Sequence, residues 1–197
     1  MPLVPSSYHT TAFFRNGHLA TIYNGLFRKV TGIAQKRERI ILSDGDFLDL
    51  DWSYAANSLQ HLVVLLHGLE GDAQRPYITG SAKLFNSKGF DACAINYRGC
   101  SGEPNTKYRS YHSGATEDLK EVLDHIIATK NYENIYLKGF SLGGNLTLKY
   151  HQSNHRSQAK LKSLKTSRRL ILFAHESTNS KCCSTACALA TTTLIPM

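Results

Sequence analysis

The last 47 residues of this 197-residue chain contain no glycine and a single acidic residue, Glu176, although the whole chain has 14 glycines and 15 acids. A continuing α/β sheet turns repeatedly and uses glycine to do so. Residues 151–197 therefore do not read as more of the strands and helices that precede them, but as an atypical tail. Long apolar runs are also missing. None approaches the roughly 18 residues that a bilayer-spanning helix needs, so no membrane span is expected. The opening MPLVPSSYHTTAFF has neither a basic start nor an unbroken apolar stretch, which argues against a secretory signal and makes a cytoplasmic location the expectation. The five cysteines lack the pattern of a disulfide framework. Cys93 sits in an apolar run, Cys182 adjoins Cys183, and CCSTAC has no second ligand pair at the spacing a zinc site uses. No metal and no cofactor is expected.

The shortage of acid in the tail also sets the charge. Of the formal +8, residues 1–150 contribute +2 and the last 47 contribute +6. A basic tail suits a phosphate backbone, but Phe173 is the one aromatic residue there, and bases are held largely by stacking. The reading is a solvated basic tail and no nucleic-acid partner. A length of 197 residues, 42% hydrophobic and 19% charged, suits one globular domain.

Strand and helix signals alternate from residue 38 onward. DFLDLDWS alternates strictly, with Leu48, Leu50 and Trp52 on one face and Asp49 and Asp51 on the other, which predicts a half-solvated strand. Paired with ERIILS through a turn at Asp44-Gly45, it makes an antiparallel hairpin at a sheet edge. HLVVLL, DACAIN and NIYLKGF are short apolar runs of the kind buried on both faces of a parallel sheet. Helices are predicted at about residues 77–88, ending at Gly89, and through GATEDLKEVLDHIIATK. In the latter, Leu119, Val122, Leu123, Ile126 and Ile127 form the apolar stripe and Glu117, Asp118, Glu121 and Asp124 a wet face, with Ser113 or Thr116 as cap. Right-handed crossovers fold this series into a mostly parallel α/β sheet with an amino-terminal antiparallel edge hairpin and flanking helices. The predicted domain is residues 1–150.

GFSLGG, residues 139–144, fits G-x-S-x-G between a buried-type strand and a helix-like segment, the context of a nucleophile elbow. Gly139 and Gly143 remove side chains where the turn crowds backbone against backbone, which leaves the Ser141 hydroxyl exposed. A serine attacking a carbonyl needs donors for the oxyanion. The Leu142 N–H at the helix start is one, and the Leu69 N–H in HGLEGD, turned inward by Gly68, is the other. His67 precedes the serine and reads as the residue that fixes this loop. Arg98 and His112 are candidate substrate contacts, Arg98 for an anionic group or as a local ion pair, and Tyr111 shares the ambiguity of His112. His18 and His125 read as surface or packing residues.

NGHLATIY (16–23), HGLEGD (67–72), INYRGCSGEPN (95–105), SYHSGATEDL (110–119) and GFSLGGN (139–145) together resemble the YheT-like branch of the α/β-hydrolase superfamily, over roughly residues 13–150. The resemblance implies a serine hydrolase of carboxylesterase type, acting on small-molecule esters through an acyl-enzyme on Ser141. A triad also requires an acid and a histidine carried on later strands. Three more strand–helix units take about 90 residues, and only 56 follow Ser141. Glu176 directly follows His175, so the two face opposite ways on a strand, and His151 and His155 have no orienting carboxylate. The expectation is thus a truncated or frameshifted hydrolase, impaired in catalysis, with strand 134–140 left as an open edge. The alternative is a non-catalytic fragment or interaction module whose basic tail binds an anionic partner.

Overall fold

The computed structural model describes residues 11–23, 27–158 and 169–175. A 3-10 turn at Ala12–Arg15 leads into helix α1 (Gly17–Ile22), and six strands and three further helices follow. These are β1 (Lys36–Ile41), β2 (Phe47–Ser53), β3 (His61–Leu66), α2 (Pro76–Asn86), β4 (Phe90–Asn96), α3 (Thr116–Thr129), β5 (Asn134–Phe140), α4 (Leu142–Gln158) and β6 (Arg169–His175). The sheet order is β1-β2-β4-β3-β5-β6. The β1–β2 and β2–β4 pairs are antiparallel, and the pairs from β4 to β6 are parallel. The expected α/β architecture and amino-terminal edge hairpin are therefore present. Gly45, at φ 79°, turns the hairpin, and the Leu42 N–H donates to the Asp46 carbonyl at 2.8 Å.

Strand β3 explains why the sheet needs cover on both faces. Leu62, Val64 and Leu66 join one core with α3 and α4, whereas Val63 and Leu65 join a second with Ile78 and Ala82 of α2. All five are fully buried, and each contributes about 1.5–3 kcal/mol by leaving water. Among the described residues no helix is long and apolar enough to cross a membrane.

Three expectations are corrected here. First, β2 is buried along its whole length rather than half-solvated. Asp49 and Asp51 lie directly opposite Arg39 and Arg37 of β1, and each carboxylate takes two guanidinium hydrogen bonds at 2.7–2.9 Å. Gln74 and Asn96 add donors to Asp51. The polar face is thus roofed by arginines rather than wetted. Second, Asp118 does not belong to the wet face of α3. It is buried and binds the Arg98 Nε and Nη2 at 2.8 and 2.9 Å. No side chain caps α3, which starts after Ala115. Third, β5 is not an edge, because β6 pairs with it in parallel from Asn134↔Arg169 to Phe140↔His175. Helix α4 likewise runs through Tyr150 to Gln158.

The Arg98 cluster ties the edge hairpin to the sheet. Its guanidinium, buried almost completely, meets Asp44 at 2.8 Å, Asp46 at 3.0 Å and Asp118 at 2.8 Å. Hydrogen bonding to Asp118 is the largest influence raising its pKa. For Asp46, burial alone would raise the carboxyl, but hydrogen bonds from Asn105, the Thr106 and Phe47 N–H groups and the Thr106 hydroxyl outweigh it and lower the pKa from 3.8 to about 2. Replacing Arg98 by Leu strands these carboxylates without a counter-charge, and urea titration at neutral pH is expected to show a loss of about 3–5 kcal/mol. Because the folded pKa of Asp46 lies below its ordinary value, its contribution is complete above about pH 4 and is lost as pH falls towards about 2. Asp46→Asn is expected to flatten the acid limb of a stability–pH curve in that window.

Candidate active site

Strand β5 ends at Phe140 and α4 begins at Leu142, so one residue, Ser141, makes the whole strand-to-helix turn. It does so at φ 52°, a left-handed conformation that costs a residue with a Cβ about 1–2 kcal/mol. The glycines on either side are required by space. A Cβ on Gly139 would stand 2.2 Å from the Gly143 carbonyl oxygen, and one on Gly143 would stand 2.5 Å from the Leu66 oxygen and 2.6 Å from that of His67. The turn is therefore pressed against the end of β3, and the serine side chain points outward, exposed.

The loop after β3 lies against the same point, with the Cβ position of Gly68 3.4 Å from the Ser141 Cβ. Its backbone donors are individually accounted for. The Gly68 N–H donates to the Tyr77 hydroxyl at 3.2 Å, the Glu70 N–H to the Tyr111 hydroxyl at 2.9 Å, and the Gly71 N–H to the Gly68 carbonyl at 3.1 Å. Among the described residues the N–H groups of Leu69 and Leu142 donate to nothing. The Leu142 group is one of the free donors every helix start presents, where the helix dipole favours negative charge. Glu70, at φ 53°, is with Ser141 and Gln60 one of three non-glycine residues in the left-handed region among the described residues, and strain of this kind gathers at functional sites.

His67 is fully buried beneath the loop, its ring 4.2 Å from that of Tyr97. The Tyr97 N–H can only donate, so His67 Nε2 accepts it at 3.4 Å and Nδ1–H donates to the Gly68 carbonyl at 2.7 Å. Desolvation, its largest influence, lowers its pKa, and a neutral ring is what these two bonds need. This geometry fits a residue that fixes the loop. Sequence reasoning missed Tyr77, whose hydroxyl helps hold the loop and whose ring lies 5.0 Å from that of Phe140. A tyrosine in the first turn of α2, just after HGLEGD, was the available signal.

The other sequence candidates fare differently. Of the two readings of Arg98 the structure shows the local ion pair, because its guanidinium is committed to three carboxylates inside the protein and is not open to an anionic substrate. His112 is exposed, accepts the Gly114 N–H at 3.1 Å, and edges an apolar cavity of about 10 Å³ shared with Tyr97, Tyr111 and Leu146, room for about one water. A larger groove of about 460 Å³ follows residues 98–110 and is not lined by Ser141. Among the described residues the Ser141 hydroxyl has no hydrogen-bond partner, and none of their His, Cys, Asp and Glu side chains form a group able to hold a metal. His125 pairs with Glu38 at 2.9 Å. His18 is exposed on α1, His151 lies on α4, and His175 stands opposite Phe140 at the end of β6. The side chain of His155, together with Glu176, Cys182 and Cys183, lies outside the described residues.

A family model described as the alpha/beta hydrolase fold matches residues 61–166. The putative esterase YheT of Escherichia coli (strain K12) is 39% identical over 135 residues, which make up 68% of this chain and 40% of that protein. Phospholipase ABHD3 of Homo sapiens is 28% identical over 156 residues, 76% of this chain and 38% of its own. The chain thus spans about two fifths of the curated relatives it matches. In fold, it is similar to a solved α/β serine hydrolase without a lid from Xanthomonas campestris, with TM-score 0.53, 14% identity, and coverage of 78% of this chain and 88% of that one.

Two substitutions probe the turn. Ser141→Gly relieves the left-handed strain and is expected to raise the unfolding free energy by about 1 kcal/mol. Gly139→Ala forces backbone apart and is expected to lower it by about 1–3 kcal/mol. Urea midpoints that move in the opposite order would contradict the crowded-turn geometry.

Proposed function

The chain belongs to the alpha/beta hydrolase fold family, in company with relatives of esterase type, and from that premise we propose that it is a serine hydrolase of carboxylesterase type with Ser141 as nucleophile. One observation carries the reading. The exposed hydroxyl of a left-handed residue stands at a strand-to-helix turn, against a loop whose N–H groups are engaged on both sides of Leu69 while that of Leu69 is free.

In this reading the Ser141 Oγ attacks the carbonyl carbon of a small-molecule ester. The new C–O bond forms as the carbonyl π pair moves onto oxygen, and the Leu69 and Leu142 N–H groups receive that negative oxygen. The proton lost from Ser141 Oγ passes through solvent to the alcohol oxygen as collapse of the intermediate breaks the bond to the alcohol, and water then cleaves the acyl-serine, its hydroxyl going to the acid and its other proton to Ser141 Oγ. Donors placed this way are each worth about 10²–10³ in rate. An unassisted serine hydroxyl is a weak nucleophile, and no histidine is bonded to Ser141 among the described residues. The proposal is therefore an enzyme working well below a complete triad, at roughly the 10³–10⁴ over water that an oxyanion hole and binding alone sustain.

A fluorophosphonate probe tests this directly. Covalent labelling of the folded chain that disappears in Ser141→Ala, with slow hydrolysis of p-nitrophenyl acetate disappearing in parallel, is the expected result. Folded protein that takes no label, or labels equally in the alanine variant, would mark the chain as a non-catalytic module instead.

A further inference from the structure

A second surface, separate from the serine, has an unusual composition. The first acidic residue of the chain is Glu38, and the 37 residues before it include Arg15, Arg28, Lys29, Lys36 and Arg37. Arg37 is spent on Asp51, whereas Arg15 and Lys29 are exposed. Within this acid-free stretch α1 has no buried residue. Its apolar residues Leu19 and Ile22, with Tyr23 at its carboxyl cap, fall at i, i+3 and i+4, yet they are 42%, 48% and 41% exposed, and Phe27 beyond is 66% exposed.

Phe14 packs on Tyr23 with ring centres 5.3 Å apart, and the chain after Phe27 is strapped to α2. There the Lys83 ammonium donates to the Thr31 carbonyl at 2.6 Å, and Ile33 packs into the core shared with α2. The result is a short helix that exposes Leu19 and Ile22, with Tyr23 and Phe27 after it, in a stretch whose charged residues before Glu38 are all cations. A second copy of the chain would bring Arg15 and Lys29 against their own kind, an unfavourable juxtaposition. An anionic bilayer offers what this surface lacks, namely an apolar boundary for the side chains and negative headgroups for the cations.

We infer that the α1 surface docks on anionic lipid bilayers, with Leu19, Ile22, Tyr23 and Phe27 entering the headgroup boundary and Arg15 and Lys29 meeting the headgroups.

The test is co-sedimentation of the full chain with vesicles of phosphatidylcholine containing about one third phosphatidylglycerol, compared with pure phosphatidylcholine. The expected result is binding to the anionic vesicles that weakens with added salt. It should fall at least about tenfold in Leu19→Asp/Ile22→Asp/Phe27→Asp, and Arg15→Glu/Lys29→Glu should remove the preference for anionic lipid. The second variant keeps the apolar face intact and so reports even if the first misfolds. Absence of binding to anionic vesicles would overturn the inference, as would equal binding to pure phosphatidylcholine. Binding undiminished in both variants would overturn it too, by assigning lipid contact to another basic surface such as the last 47 residues. A chain that ignores vesicles but dimerises in the ultracentrifuge, with the aspartate variant monomeric, would give the face to a second copy. None of these readouts depends on Ser141.

Discussion

Backbone crowding at the carboxyl end of β3 governs the centre of this molecule. The turn from β5 to α4 lies so close to the Leu66 and His67 carbonyls that no side chain fits at Gly139 or Gly143. Once those two positions are bare, the chain can reverse in a single residue. That residue must take a left-handed conformation, and its side chain must leave the packed region. The same contact brings the start of α4 and the loop after β3 together at the exposed serine. Site geometry and local strain are thus two consequences of one steric fact.

The loop itself is held by side chains from three directions. His67 braces it from below, Tyr77 from α2 and Tyr111 from the segment before α3. The two tyrosine hydroxyls accept the N–H groups of Gly68 and Glu70, on either side of Leu69. Elsewhere, polar groups of the edge hairpin are treated in the opposite way. Arg98 is buried with Asp46 and Asp118, which welds the edge hairpin and α3 onto the parallel sheet, while the buried Asp49 and Asp51 are met by Arg39 and Arg37 of β1. Removing one partner from such a cluster is costly because the others remain buried and charged.

Much of the architecture was legible from apolar periodicity. HLVVLL, DACAIN and NIYLKGF became β3, β4 and β5, the hairpin turned at Asp44-Gly45, and the elbow glycines stood where a turn of this shape requires them. The reading of β2 as half-wetted failed for an identifiable reason. Alternation reports that Asp49 and Asp51 share a face, but the arginines that cover that face come from another strand, and their register is a property of the pairing. The same applies to Asp118, placed on a wet stripe by local spacing and buried by Arg98 from 20 residues away. Strand β5 was expected at an edge because the residues beyond Tyr150 lack glycine, yet β6 lies beside it.

What the sequence determined alone is whatever local chemistry dictates: which runs are apolar enough to form buried strands, where glycine permits a tight turn, and that a serine stands midway between the glycines of that turn. The tertiary structure decided which polar groups are left over. A backbone N–H is free or engaged according to neighbours distant in the chain, and a charge is buried or solvated according to what folds across it. These are pairwise, long-range facts, and no window of consecutive residues contains both members of the pair.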